Sequence, residues 1–357
     1  MAPLASWLPG RNGRRAAGSR VEPAPSAGIG SVRDAVVVIT GASSGIGRAT
    51  AYAFAQRGAR LVLAARRDWV LREVARDCDK RGGRAIVVPT DVTDPRAVER
   101  LARAAEDAFG RIDVWVNNAG VGLFGPYDNA RIELHRRVVE TNLLGAMHGA
   151  AAVLPVFLQQ GRGVLINTVS IGAWAPLPFA AAYTASKFGL RGLTASLRQE
   201  LREEPGIQVC GVFPSVVDTP GLEHVANVSG RALDPGGLLF APEQVAETIV
   251  ALAQRPRGEV VVGWPARAAK LAYGLAPGGT ERVLGAVVRR YVRHAPLSPR
   301  TTGALLQPVV RGTRPSGGWR ERKAAASGRN VGKVGLALAG AALVFGVTAA
   351  VAHARRH

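Results

Sequence analysis

Tyr183-Thr184-Ala185-Ser186-Lys187 sets a phenol and an ammonium four residues apart, a spacing that brings both to one face of a helix. A free phenol ionises near pH ~10. A neighbouring cation favours the phenolate and draws it towards a range useful for proton transfer. Thirteen residues before the tyrosine, Ser170 closes the apolar run Val164–Val169. Taken singly, such a pair arises by chance on helices, and a lone serine also serves as a turn or cap.

A second group sits earlier in the chain. Thr40-Gly41-Ala42-Ser43-Ser44-Gly45-Ile46-Gly47 follows the β-branched run Ala35–Thr40 and opens a helical pattern. Gly41 allows a tight turn, Gly45 admits a pyrophosphate to the backbone, and Gly47 permits close helix–sheet packing. Unpaired N–H groups at the helix start then attract phosphate. The spacing is neither G-x-G-x-x-G nor a P-loop, so an ordinary glycine-rich turn is the competing reading. The next apolar run ends at Ala64-Ala65-Arg66-Arg67. An NAD site places an acidic residue near that point, whereas two arginines suit a 2′-phosphate through bidentate contacts. NADP is therefore the preferred dinucleotide, with NAD still possible and solvated surface arginines as the alternative.

The elements that must position these residues alternate. Strands are expected at Ala35–Thr40, Arg60–Ala65, Ala85–Pro89, Ile112–Asn117, Val164–Val169, Ile207–Phe213 and Glu259–Gly263. Helical patterns near 46–56, 69–80, 95–109, 130–160, 180–203 and 242–254 separate most of them. Seven such strands specify an α/β fold: a Rossmann-type, doubly wound parallel sheet with helices on both faces.

These motifs, with Asp91-Val92, Asn117-Asn118-Ala119-Gly120, Asn142 and Pro214 to Thr219 in the same order, resemble the short-chain dehydrogenase/reductase family over roughly 31–264. The resemblance implies an NAD(P)-dependent oxidoreductase with Tyr183 as general acid/base and Ser170 orienting the substrate oxygen. It implies that Lys187 lowers the tyrosine pKa and holds the nicotinamide ribose, and that Asn142 anchors a proton-relaying water. Asp91 and Val92 would meet the adenine, Asn118, Ala119 and Gly120 would brace the floor of the cofactor site, and Thr219 would contact the nicotinamide half. The family's usual Pro-Gly is here Pro214-Ser215; serine lacks glycine's freedom at positive φ, which puts the local geometry in doubt. The implied chemistry is hydride transfer between nicotinamide and a carbonyl or secondary alcohol, with no metal required because Ser170 and Tyr183 supply the polarisation.

Trp174, Pro176, Leu177, Pro178 and Phe179 are expected to line an apolar pocket, and Pro220–Phe240 to form a mobile lid. Both favour a small lipophilic alcohol or ketone, unless those residues merely shape a loop.

Charge locates rather than defines the protein. Its 357 residues carry 46 Lys+Arg against 26 Asp+Glu, a net +20, of which residues 263–357 hold +14. A near-neutral centre without aromatic-interleaved basic motifs argues against nucleic acid as partner. A cofactor-binding scaffold without turnover is the other alternative, and the intact Ser170, Tyr183 and Lys187 set opposes it. Two cysteines far apart, Cys78 and Cys210, suggest neither a disulfide framework nor a metal site.

The domain plan is a disordered leader over 1–32, a catalytic domain over 33–264, a basic helical extension and flexible linker over 265–332, and a transmembrane helix over 333–353. Val334–Ala352 is nineteen residues without a charge, flanked by Lys333 and Arg355-Arg356, at the short end for a span. A packed terminal helix is the competing reading. The basic linker before it would keep the catalytic domain cytoplasmic, at the membrane. Residues 266–293 read as an amphipathic helical region, either packed on the domain or lying at a membrane surface. The family resemblance also implies a homo-oligomer, through the long helices at 130–160 and 180–203.

Overall fold

The computed structural model describes residues 28–327; most of the leader and the apolar stretch 334–352 lie outside them. β1 (Val36–Thr40), α1 (Gly45–Ala55), β2 (Arg60–Ala65), α2 (Asp68–Asp79), β3 (Arg84–Pro89), α3 (Pro95–Phe109) and β4 (Val114–Asn117) come first. A short β5 (Leu123–Phe124) precedes α4 (Ile132–Val139), which continues through a π-helical turn at Glu140–Leu144 into α5 (Gly145–Gln160). β6 (Gly163–Thr168), α6 (Ala181–Glu200), β7 (Ile207–Pro214), the short β8 (Ala226–Asn227), α7 (Pro242–Gln254) and β9 (Glu259–Val262) complete the alternation. Beyond it run α8 (Trp264–Leu275), α9 (Pro277–His294) and α10 (Trp319–Ser327).

The seven expected strands form one sheet in the order β3-β2-β1-β4-β6-β7-β9, with every pairing parallel. Central strands must therefore be apolar on both faces, and β1, β4 and β6 are buried along their whole length. Strand order reverses beside β1, so the carboxyl ends of β1 and β4 open a crevice where such sheets bind ligands. A two-stranded sheet of β5 and β8, unforeseen from the sequence, lies outside the main one.

Below the crevice a buried polar chain ties strands to helices. Trp115 Nε1 donates to Asn117 Oδ1, Asn117 Nδ2 to Asn167 Oδ1, and Asn167 Nδ2 to Thr194 Oγ1, at 2.8–2.9 Å. Each amide is satisfied, so burial here costs little and fixes one arrangement.

Two expectations are corrected. The last leader residues are packed, with Val32 buried and Ile29 N–H donating to Ala253 O at 3.0 Å. Residues 295–318 do not hang as a linker. They lie along the domain, pairing Leu297 with Arg231 and Thr301 with Asn227, and so staple down the segment expected to be a mobile lid.

Candidate active site

Three elements bring the candidate catalytic residues together. Ser170 stands two residues beyond β6, where its Oγ accepts from Gly172 N at 3.1 Å and so caps a short turn. That turn presses Gly172 against Tyr183, leaving 3.2 Å between the ring's Cε1 and where a Cβ on Gly172 would stand. Ser170 Oγ lies beside the same point, 3.6 Å from it, so the serine hydroxyl and the tyrosine ring meet at Gly172. One helical turn later on α6, Lys187 donates from Nζ to Thr168 O at 3.0 Å and lies 5.8 Å from the centre of the Tyr183 ring.

Burial decides their ionisation. It pushes the Tyr183 phenol up, with the Ser170 hydrogen bond opposing. It pulls Lys187 down to about 8. An apolar enclosure disfavours both charged forms, the pattern of groups poised for proton transfer.

Asn142 sits inside the π-helical turn, a local widening that frequently marks functional sites. Its Oδ1 accepts from Val121 N at 2.8 Å, and its Nδ2 donates to Val121 O at 2.9 Å and to Ser186 Oγ at 3.0 Å. The side chain thus joins the β4–β5 loop to α6. Gly120 lies between them: a Cβ there would be 3.4 Å from Asn142 Oδ1 and 3.9 Å from Lys187 Nζ.

The glycine turn has the shape a dinucleotide needs. A Cβ on Gly47 would stand 2.3 Å from Gly41 O, and Gly41 itself has φ +69°, so neither position tolerates a side chain. Thr40 Oγ1 accepts from Asn118 N and Ala119 N at 3.0 and 3.2 Å, and Asn118 Nδ2 donates to Thr40 O at 3.0 Å. Thr40 and Asn118 therefore clamp the ends of β1 and β4. The methyl side of Thr219 faces Gly45, at 3.3 Å from a Cβ placed there. Ser43 and Ser44 each accept from Arg67 Nη2, at 3.0 and 3.1 Å. Arg66 and Arg67 are half-buried, and burial lowers both guanidiniums, with mutual repulsion added at Arg67. Paired cations held over a glycine turn fit a phosphate-bearing group. Beyond the end of β3, Asp91 Oδ2 accepts from Arg137 Nη2 at 2.8 Å, and Val92 is buried with its carbonyl 2.9 Å from His148 Nδ1. Arg137 was not foreseen: an arginine inside a helix has no sequence signature until the fold places it over Asp91.

Two other points differ from the reading of the sequence. Trp174 is an interface residue, with the Arg191 guanidinium 3.4 Å and the Lys270 ammonium 4.1 Å from its ring centre and Phe213 packed against it. It docks α8. The Phe179 ring centre lies 6.0 Å from that of Phe124, and the residue holds φ +64°, a conformation that costs a non-glycine residue about 1–3 kcal/mol and is common where sites are built. Ser215 is not strained, being absent from the positive-φ residues. Its Oγ accepts from Ala266 N at 3.0 Å, so the serine caps the first turn of α8, a helix that a glycine would leave uncapped.

A parallel doubly wound sheet with a glycine turn at β1 and a Ser-Tyr-Lys cluster beyond β6 defines a nicotinamide-dependent oxidoreductase. The chain belongs to the short chain dehydrogenase family, whose model matches residues 35–228. An uncharacterized oxidoreductase of Bacillus subtilis, YxnA, is 35% identical over 279 residues, covering 77% of this chain and 78% of that one. A 3beta-hydroxysteroid dehydrogenase 1 of Eggerthella lenta is 38% identical over 224 residues, 61% of this chain and 85% of its own. Among solved structures, a metagenomic short-chain oxidoreductase in complex with NADP superposes with a TM-score of 0.56 at 34% identity, covering 64% of this chain and 97% of that one. An actinorhodin polyketide ketoreductase with NADPH gives 0.60 at 30% identity, covering 64% and 95%.

Proposed function

We propose that this dehydrogenase exchanges hydride between NADP(H) and a carbonyl or secondary alcohol of a small lipophilic substrate, at a membrane. The reading rests on one observation above others: Ser170 and the Tyr183 ring meet at Gly172, with the Lys187 ammonium fixed one turn away by Thr168 O. When bound, a nicotinamide would supply the hydride-transfer chemistry. Tyr183 gives a proton to the developing alkoxide or takes it from the alcohol, and Ser170 orients that oxygen by hydrogen bonding. The Lys187 ammonium, 5.8 Å from the centre of the tyrosine ring, would favour the phenolate against the burial that disfavours it. Asn142 holds the β4–β5 loop so that Gly120 and Lys187 stay in register.

NADP is favoured over NAD because Arg66 and Arg67 stand where an acidic residue would otherwise read the ribose hydroxyls. Phe124 and Phe179 favour a lipophilic substrate, and so does the relative named as a hydroxysteroid dehydrogenase. Membrane attachment is supported by the charge-free stretch 334–352 and by the outer face of α8. There Trp264, Leu271 and Leu275 are 50%, 61% and 62% exposed, beside a groove of about 600 Å³ edged by Arg257, Arg267 and Lys270. Exposed Leu144, Met147 and Leu158 on the α4–α5 helix suit a homo-oligomer contact.

The test is Tyr183→Phe. We expect turnover of lipophilic ketones with NADPH to vanish while NADPH binding, followed by fluorescence, is nearly unchanged. A variant as active as the parent would sink this mechanism.

A further inference from the structure

We propose that residues 301–318 form an autoinhibitory strap: its backbone carbonyls hold the donors that a cofactor 2′-phosphate and pyrophosphate require, and it must be displaced for the nucleotide to bind. The inference rests on the NADP reading above. Arg66 Nη2 donates to Ala304 O at 2.6 Å, and Arg67 Nη1 to Val309 O at 2.9 Å. Gly45 N–H, in the glycine turn itself, donates to Arg314 O at 3.1 Å. Arg48, on the first turn of α1, reaches Thr313 O at 2.9 Å, and Arg137 reaches Leu305 O at 3.3 Å. Every contact the strap makes with these donors is through an acceptor. A phosphate arriving at the same cations would meet carbonyl oxygens, so the two occupants compete for one set of hydrogen bonds.

The strap also reaches the catalytic residues. The Leu305 side chain is buried in the apolar cluster of Leu123, Leu134, Val138 and Ala226, against which Tyr183 packs. Its far end is latched on Asp218, next to Thr219. That carboxylate accepts from Ser316 Oγ at 3.0 Å, Trp319 N at 2.9 Å and Arg320 N at 3.3 Å, capping α10 from a hundred residues away as a helix N-terminus favours. Two glycines seat the middle. A Cβ on Gly303 (φ +51°) would stand 2.2 Å from His224 O, and one on Gly312 (φ +70°) would stand 2.6 Å from His224 Nε2. Side chains at these two positions would lift the strap without altering any residue of the cofactor site.

Competition between strap and nucleotide is a linkage, so whatever weakens one strengthens the other. The experiment has two arms on the full-length protein, with NADPH and adenosine 2′,5′-bisphosphate as probes. In the parent, tryptic cleavage after Arg311 is followed by mass spectrometry with and without nucleotide; we expect saturating nucleotide to speed it. In Gly303→Ala/Gly312→Ala we expect both nucleotides to bind about tenfold tighter. Slower cleavage with nucleotide bound, or unchanged or weaker binding by a folded variant, would overturn the strap while leaving the cofactor reading intact. Binding of NADPH by neither protein would overturn the cofactor reading, and the strap with it.

Discussion

Lys187 illustrates how a residue can act against the fold in order to serve the site. Burial brings it to about 8 from an ordinary 10.5. Between those values the unfolded chain keeps a proton that the folded chain has released, so stability rises with pH across that window. Below about 8 both states carry the charge, and the full destabilisation is present. Lys187→Met should therefore be more stable than the parent at neutral pH in urea titrations, with the gap narrowing as pH climbs from about 8 towards 10. A gap that stayed constant over that range would show that Lys187's charge is not what costs stability. Both members of the Tyr183–Lys187 pair were legible from spacing alone, because a helix brings i and i+4 together whatever surrounds it. Their ionisation was not legible, since it depends on how much water the rest of the fold removes.

At the scale of elements, the exchange of glycine for Ser215 marks where this chain adds a helix to the dehydrogenase sheet. The serine hydroxyl satisfies one of the N–H groups that α8 leaves free at its start. Ser215→Ala should lower stability by about 1 kcal/mol in chemical denaturation and leave the β1–α1 turn undisturbed, as judged by NADPH affinity. Ser215→Ala with unchanged stability would remove the capping role. Trp174 belongs to the same junction, clasped by Arg191 from α6 and Lys270 from α8. Its aromatic character suggested a pocket wall, but pocket and interface use the same residue types, and only packing separates them. The seven strands were readable because a parallel sheet demands runs apolar on both faces. The β5–β8 pair was not, being two residues long on each side.

For the whole molecule, the proposed membrane attachment rests on the excess charge together with the charge-free stretch 334–352. Among the described residues one helix is long and apolar enough to cross a membrane, Ile132–Gln160, and it is part of the domain, packed on α3 and α6 and carrying Asn142. On the membrane reading proposed above, the segment that would anchor the protein is 333–353. The full-length protein should sediment with membranes after lysis and be released by detergent, not by salt; recovery in the supernatant without detergent would remove the anchor. The basic C-terminal part would assist on an anionic leaflet, with the outward stripe of α8 lying against the surface.

The amino-acid sequence by itself determined the sheet, the glycine turn, the Ser170, Tyr183 and Lys187 set and the paired arginines, because each rests on side-chain type at a spacing that local geometry enforces. Only the tertiary structure decided what lies over them. The segment 301–318 reads as a Pro-, Gly- and Arg-rich linker, yet it grips Arg66, Arg67 and Gly45 through main-chain carbonyls. Every residue carries such a carbonyl, so no pattern of residue types announces where that oxygen will be used.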